Sequence, residues 1–161
     1  MRLLCHAFSI AGYILGISAI LKLVDLLQNQ VYLSLSDQAF PLLTYRSTIL
    51  TGLLLDTLGA VVCLRSQSSV VRAVVIFWIG ATFLGYHAAQ GLLDVHGPCP
   101  CFGYLGRLEG VSPFFVNVLS LSIGLFLLGT GSAYFARCLF GTVQANRSIQ
   151  EGASAASKST R

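Results

Sequence analysis

Two cysteines separated by a single proline are the residues of this sequence best suited to chemistry. Cys99 and Cys101 lie in the stretch from His96 to Gly103, with Pro100 between them. Two thiols at this spacing can form a disulfide if the chain turns, and proline restricts that turn. A bridge in so small a ring should be strained, and strain makes a disulfide easier to reduce. The spacing therefore suits an exchanging thiol–disulfide pair better than a structural bridge.

A metal site and a purely structural role are the alternatives for this pair. A metal ion needs more ligands than the two cysteines and His96 supply, although Asp94 or Glu109 could complete a set. We predict no metal. In the structural interpretation, both cysteines are small buried residues that cap a loop beneath a Phe-Gly turn. If the pair is redox-active, His96 and Arg107 are the candidates to stabilise a thiolate.

Ionisable residues inside apolar stretches form a second candidate group, made up of Lys22, Asp25, Asp56 and His87. Such residues are rare in a membrane because burying a charge in lipid is costly. Lys22 and Asp25 are three residues apart on one helical face, which favours pairing over snorkelling outward. Asp56 needs a partner or must stay protonated, and His87 or Lys22 could serve. An interhelical contact is the preferred prediction, ahead of a proton relay.

The composition indicates which elements position these residues. Among 161 residues, 55% are hydrophobic and only 10% are charged, whereas a soluble protein carries roughly 25% charged residues. Four apolar blocks cover about 3–27, 42–64, 70–93 and 113–140. Each block exceeds the roughly 20 helical residues that cross a bilayer, where the backbone must satisfy its own hydrogen bonds. We therefore predict an all-α membrane protein, a four-transmembrane-helix bundle forming one domain over residues 1–140.

Local patterns refine this prediction at several positions. The first block could be a cleaved leader, with Arg2 before it and small residues near Ser18, but its length favours a retained helix. Ser112 and Pro113 suit the N-cap and first turn of the fourth helix. Small residues four apart predict close helix contacts. These pairs are Gly12 with Gly16, Ala81 with Gly85, and Ser120 with Gly124.

The distribution of basic residues predicts the orientation. With both termini cytoplasmic, most basic residues and the tail lie on that side, and the two longer connections lie outside, as the positive-inside rule requires. The residues so assigned to the cytoplasm are Arg2, Arg65, Arg72, Arg137, Arg147, Lys158 and Arg161. A formal charge of +4 spread in this way needs no nucleic-acid partner. The segment 141–161, rich in Ser and Ala, is predicted to be a disordered cytoplasmic tail.

This orientation separates the cysteines. The connection that carries Cys99 and Cys101 falls on the extracytoplasmic side of the cytoplasmic (inner) membrane, where disulfides can persist. Cys5, Cys63 and Cys138 fall near the cytoplasmic ends of their helices, roughly 30 Å away. These three are therefore poor partners for the pair.

The stretch from Cys99 to Gly103 resembles the C-x-C-F-G signature of the methylamine-utilisation MauE family, which is related to the DoxX-like redox-associated membrane proteins. Ser18, Lys22 and Asp25 are similar to the S-x-x-x-K-x-x-D ending of the first helix in that group. The resemblance covers about residues 3–140. It implies a role in the maturation of exported disulfide-bearing proteins, such as the small subunit of methylamine dehydrogenase. Many members of the family have a Pro-x-x-Glu pattern near the start of the second helix. This sequence departs from it, because Pro41 is followed by Leu42, Leu43 and Thr44, with no glutamate.

The expected function is thiol–disulfide exchange with a thioredoxin-like partner or an exported client. The first outer connection, residues 28–40, contains no cysteine, so a second pair that would relay electrons inward is missing there. The electrons would pass to a partner, or to a quinone near the fourth helix; no other cofactor is evident. Two alternatives from other classes are a non-catalytic assembly or scaffold subunit, and a small transporter that uses Asp56 and His87.

Overall fold

The computed structural model describes residues 2–28, 44–93 and 111–159. All secondary-structure elements of these ranges are α-helices, in agreement with the predicted all-α class. They are α1 (Arg2–Gln28), α2 (Tyr45–Arg65), α3 (Ser69–Leu92) and α4 (Pro113–Ser159). The predicted blocks match the first three helices to within three residues at each end.

Each of the four helices contains a segment long and apolar enough to cross a membrane. These segments are His6–Gln28, Tyr45–Arg65, Ser69–Leu92 and Phe114–Cys138. Large apolar side chains such as Leu54, Leu58 and Trp78 are more than half exposed on the outside of the bundle. An apolar outer surface of this kind suits lipid as the solvent. The chain therefore has the architecture of a multi-pass membrane protein, and its sidedness stays a prediction.

Side-chain caps define the beginnings of three helices. Thr44 Oγ1 accepts a hydrogen bond from the backbone N–H of Ser47, at 3.3 Å. Ser68 caps α3 in the same way, and Ser112 Oγ accepts from the N–H of Phe115 at 3.2 Å. Each cap satisfies a donor that the helix leaves unpaired. The predicted Ser112-Pro113 start of the fourth helix is confirmed.

The last helix is longer than predicted. Its apolar part ends at Cys138, but α4 continues to Ser159, through most of the segment for which we expected disorder. The segment contains alanine, glutamine, glutamate and lysine, which have high helix propensity. The predicted disorder of the tail in the cytoplasm stays a prediction.

The bundle consists of two antiparallel helix pairs. In the first, α1 packs on α2, and Gly12 and Leu15 of α1 lie beside Leu64 and Gly59 of α2. In the second pair, α3 packs on α4 over most of its length. The short connection 66–68 joins the pairs and makes α2 and α3 neighbours. The core between the helices is apolar and includes Phe8, Leu15, Ile76, Phe83, Val116 and Leu127.

Glycine permits the close approach of α3 and α4. A Cβ on Gly80 would lie 2.6 Å from the backbone nitrogen of Leu128 and 3.0 Å from the carbonyl oxygen of Gly124. Backbone atoms this close leave no room for a side chain, which is typical of small-residue contacts between membrane helices. Of the predicted small-residue positions, Gly12 and Gly124 lie at contacts, whereas Gly16 and Gly85 face open space.

Candidate functional site

A lysine and an aspartate meet near the centre of the bundle. Asp56 lies near the middle of α2. Lys22 lies closer to the end of α1, but long side chains on a helix point back toward its N-terminus. This direction brings the Lys22 ammonium to the level of Ser18, one turn earlier, and of Asp56 on the facing helix.

The three side chains form one hydrogen-bonded cluster. Lys22 Nζ donates to Asp56 Oδ2 at 2.5 Å. Ser18 Oγ donates to the same oxygen at 2.6 Å, and Lys22 Nζ lies 3.4 Å from Ser18 Oγ. The exposed fractions are 2% for Lys22, 0% for Asp56 and 2% for Ser18. The cluster is therefore a charge-assisted contact enclosed by protein.

Two further residues shape the space around the ammonium. A Cβ on Gly52 would lie 3.2 Å from both Nζ and Cε of Lys22, so glycine at this position leaves room for the lysine stem. Gly52 precedes Asp56 by one helical turn and therefore shares its face of α2. On the other side, the centre of the Phe83 ring of α3 is 5.2 Å from Nζ, within cation–π range. Three helices thus contribute to the site.

The two oxygens of the Asp56 carboxylate differ in their hydrogen bonding. Oδ2 accepts from both Lys22 and Ser18. Oδ1 is buried and has no hydrogen-bond partner in the part of the chain that the structure describes. Buried polar atoms are nearly always paired, and an exception calls for a physical explanation.

Stability alone does not explain this cluster. Removing two charges from water carries a penalty that their attraction repays only with complete hydrogen bonding. Replacement of a buried ion pair by well-packed apolar residues is often neutral or stabilising, and charges in the membrane interior are characteristic of functional sites. The Ser18–Lys22–Asp56 cluster is therefore the candidate functional site of the described bundle.

The structure selects among the partners considered for these residues. Of the two partners considered for Asp56, the ion pair is with Lys22. The spacing favoured Asp25 as the partner of Lys22, but the lysine side chain runs back along α1, away from the turn that carries Asp25. Asp25 itself is fully buried.

His87 belongs to a different contact. Its Nε2 lies 2.8 Å from Ser120 Oγ, which links α3 to α4. Polar side chains often join membrane helices in this way. His87 was considered as a partner of Asp56, but its interhelical contact is with Ser120. Gly52 and Phe83 were missed, because a glycine and an aromatic residue in an apolar block give no signal of their own in one sequence.

The cysteine pair lies in the connection between α3 and α4. Cys99, Cys101 and His96 are outside the described residues, so their predicted roles stay predictions. Among the cysteines whose side chains the structure describes, Cys63 is buried and Cys138 is exposed. Both lie at the end of the bundle opposite this connection, and the 24 residues of α3 correspond to about 36 Å.

Within the described ranges, no three His, Cys, Asp or Glu side chains come together as a metal site. Comparisons of the chain with protein-family models, with curated proteins and with solved structures give no match. The resemblance to the MauE family therefore rests on the sequence motifs.

Proposed function

We propose that this protein is a membrane component of thiol–disulfide redox chemistry that supports the maturation of exported disulfide-bearing proteins. The observation that carries the proposal is the Cys-Pro-Cys-Phe-Gly stretch, 99–103, in the connection between two helices of a four-helix membrane architecture. The resemblance to the MauE family adds a client class, represented there by the small subunit of methylamine dehydrogenase.

The proposed exchange conserves atoms and electrons. A client thiolate attacks the disulfide of Cys99 and Cys101 and forms a mixed disulfide with one of them. The second client thiolate then displaces that cysteine, so the client gains a disulfide and the pair becomes two thiols. A thioredoxin-like partner in its disulfide form then takes the two electrons by the same exchange in reverse. The pair is thereby restored, and the partner leaves as a dithiol.

The positions of the other cysteines favour this proposal. Cys63 and Cys138 lie about 36 Å from the connection by the length of α3, and a disulfide requires Cα atoms within about 7 Å. We therefore expect neither of them to compete with Cys99 for Cys101 in the folded bundle.

Trapping of free thiols in intact cells tests the proposal. A bulky membrane-impermeant maleimide is applied with and without prior reduction, and the mass of the full-length chain is measured. We expect Cys99 and Cys101 to be labelled only after reduction, and a Cys99→Ser variant to accumulate reduced client proteins. Cys138→Ser provides the matched control, since it removes an exposed cysteine at the opposite end of the bundle and should leave client oxidation unchanged.

Two results together would exclude the redox function. They are complete labelling of Cys99 and Cys101 without reductant, and unchanged client disulfides in Cys99→Ser. The same labels also report sidedness, because the impermeant reagent should reach Cys99 from outside but reach Cys138 only in broken cells.

A further inference from the structure

We propose that Asp56 is a proton-binding site at the centre of the bundle, and that its unpartnered oxygen, Oδ1, is the atom that takes the proton. This goes beyond the redox function, and it does not depend on Cys99 or Cys101.

The size of the available ligand follows from the burial of the carboxylate. Oδ2 already accepts hydrogen bonds from Lys22 and Ser18, so a further donor must approach Oδ1. That oxygen is buried and has no protein donor among the described residues, while the side chain as a whole is 0% exposed. A ligand that reaches this oxygen without displacing the helices must therefore be as small as a proton.

The groups around Asp56 determine what the proton would change. Lys22 and Ser18 of α1 contact the carboxylate directly. Asp25 lies one turn beyond Lys22 on the same helix, and on α3 the Phe83 ring faces the ammonium. His87, one turn beyond Phe83, is engaged with Ser120 of α4. Lys22 is therefore the positive group that a proton on Asp56 would affect most.

Protonation should loosen the contact between α1 and α2. A neutral carboxyl group no longer balances the ammonium charge, and an unpaired charge in an apolar interior is strongly disfavoured. Lys22 lies near the end of α1, and its flexible stem allows the ammonium to move toward the membrane surface. Proton binding at Asp56 is thus coupled to the position of Lys22.

Infrared difference spectroscopy on the full-length chain in phosphatidylcholine vesicles tests the proposal. We expect the carbonyl band of a protonated carboxyl group to grow as the pH is lowered. Asp56→Asn should lose that band, whereas Asp25→Asn and Cys99→Ser should keep it. In Lys22→Met the carboxylate loses its counter-charge, so the band should appear at a higher pH than in the unmodified chain.

Two results would overturn the proposal. One is an unchanged band in Asp56→Asn, which would assign the proton to another group. The other is a band whose pH dependence is the same with and without the Lys22 ammonium, which would uncouple the proton from the ion pair. If Asp56→Asn does not fold by circular dichroism, Asp56→Glu replaces it, and a shift in the frequency of the band then identifies the site.

Discussion

The two antiparallel helix pairs are held together by different kinds of contact. Between α1 and α2, a buried ion pair joins Lys22 to Asp56, with Ser18 as a second donor. Between α3 and α4, glycines bring the backbones into direct contact at Gly80 and Gly131. The polar contact of that second pair, His87 with Ser120, joins an imidazole to a hydroxyl.

This difference indicates which pair has a structural role and which is a candidate for function. In lipid there is no hydrophobic driving force between helices, so close packing is the main source of stability. The α3–α4 pair follows this rule at Gly80 and Gly131. The α1–α2 pair instead carries charges that close packing does not require and that burial penalises. The comparison therefore directs functional tests to Lys22 and Asp56, and stability tests to Gly80.

The largest effect is expected from removing one member of the ion pair. Asp56→Leu should lower the free energy of unfolding by about 3–5 kcal/mol, because it leaves the Lys22 ammonium buried without a counter-charge. The double variant Lys22→Met with Asp56→Leu should recover most of this loss, since replacing a whole buried pair is often neutral or better. Unfolding of the purified chain in mixed micelles measures both. A double variant as unstable as the single one would show that the pair is structural.

An intermediate effect is expected at the close contact of α3 with α4. Gly80→Ala should lower the free energy of unfolding by about 1–3 kcal/mol, because a methyl group would meet backbone atoms of α4 that cannot rotate away. Gly85→Ala is the matched control on the same helix, since a Cβ there has no atom within 4 Å. The same micelle assay should find Gly85→Ala close to the unmodified chain. Equal effects of the two substitutions would contradict the described contact.

The smallest effect is expected from the polar contact of α3 with α4. Ser120→Ala removes the partner of His87, and interhelical hydrogen bonds in membranes average about 0.6 kcal/mol. Ser122→Ala is the control, because the Ser122 hydroxyl donates to a carbonyl of its own helix, that of Val118. The midpoints of thermal unfolding of the two variants should differ only slightly. If Ser120→Ala lowered the free energy of unfolding as much as Asp56→Leu does, the contrast between the two helix pairs would be lost.

The fold was largely predictable, because it depends on properties that each segment carries by itself. The length and apolarity of the blocks predicted the helices, and the Ser112-Pro113 sequence predicted the start of the fourth one. The extent of the fourth helix was less predictable, since α4 continues to Ser159, beyond its apolar part.

The charged residues of the candidate site could be predicted from the sequence, but their contacts could not. Lys22 and Asp56 stood out as charges in apolar blocks, but the sequence favoured Asp25 as the lysine partner. Gly52 and Phe83 could not be identified, because their roles depend on which helix faces which.

By itself, the sequence determined that the helices are suited to lipid, where they lie along the chain, and which two groups of residues could be reactive. Apolarity, length and residue type are local properties of each segment. The sequence also determined that Cys99 and Cys101 stand apart from the other cysteines along the chain. Only the tertiary structure decided that Asp56 belongs to Lys22 and that His87 belongs to Ser120. These partners depend on how each helix is rotated about its axis and on the direction of the lysine side chain, which points back along α1. Residue spacing within one helix does not show which face of another helix it meets.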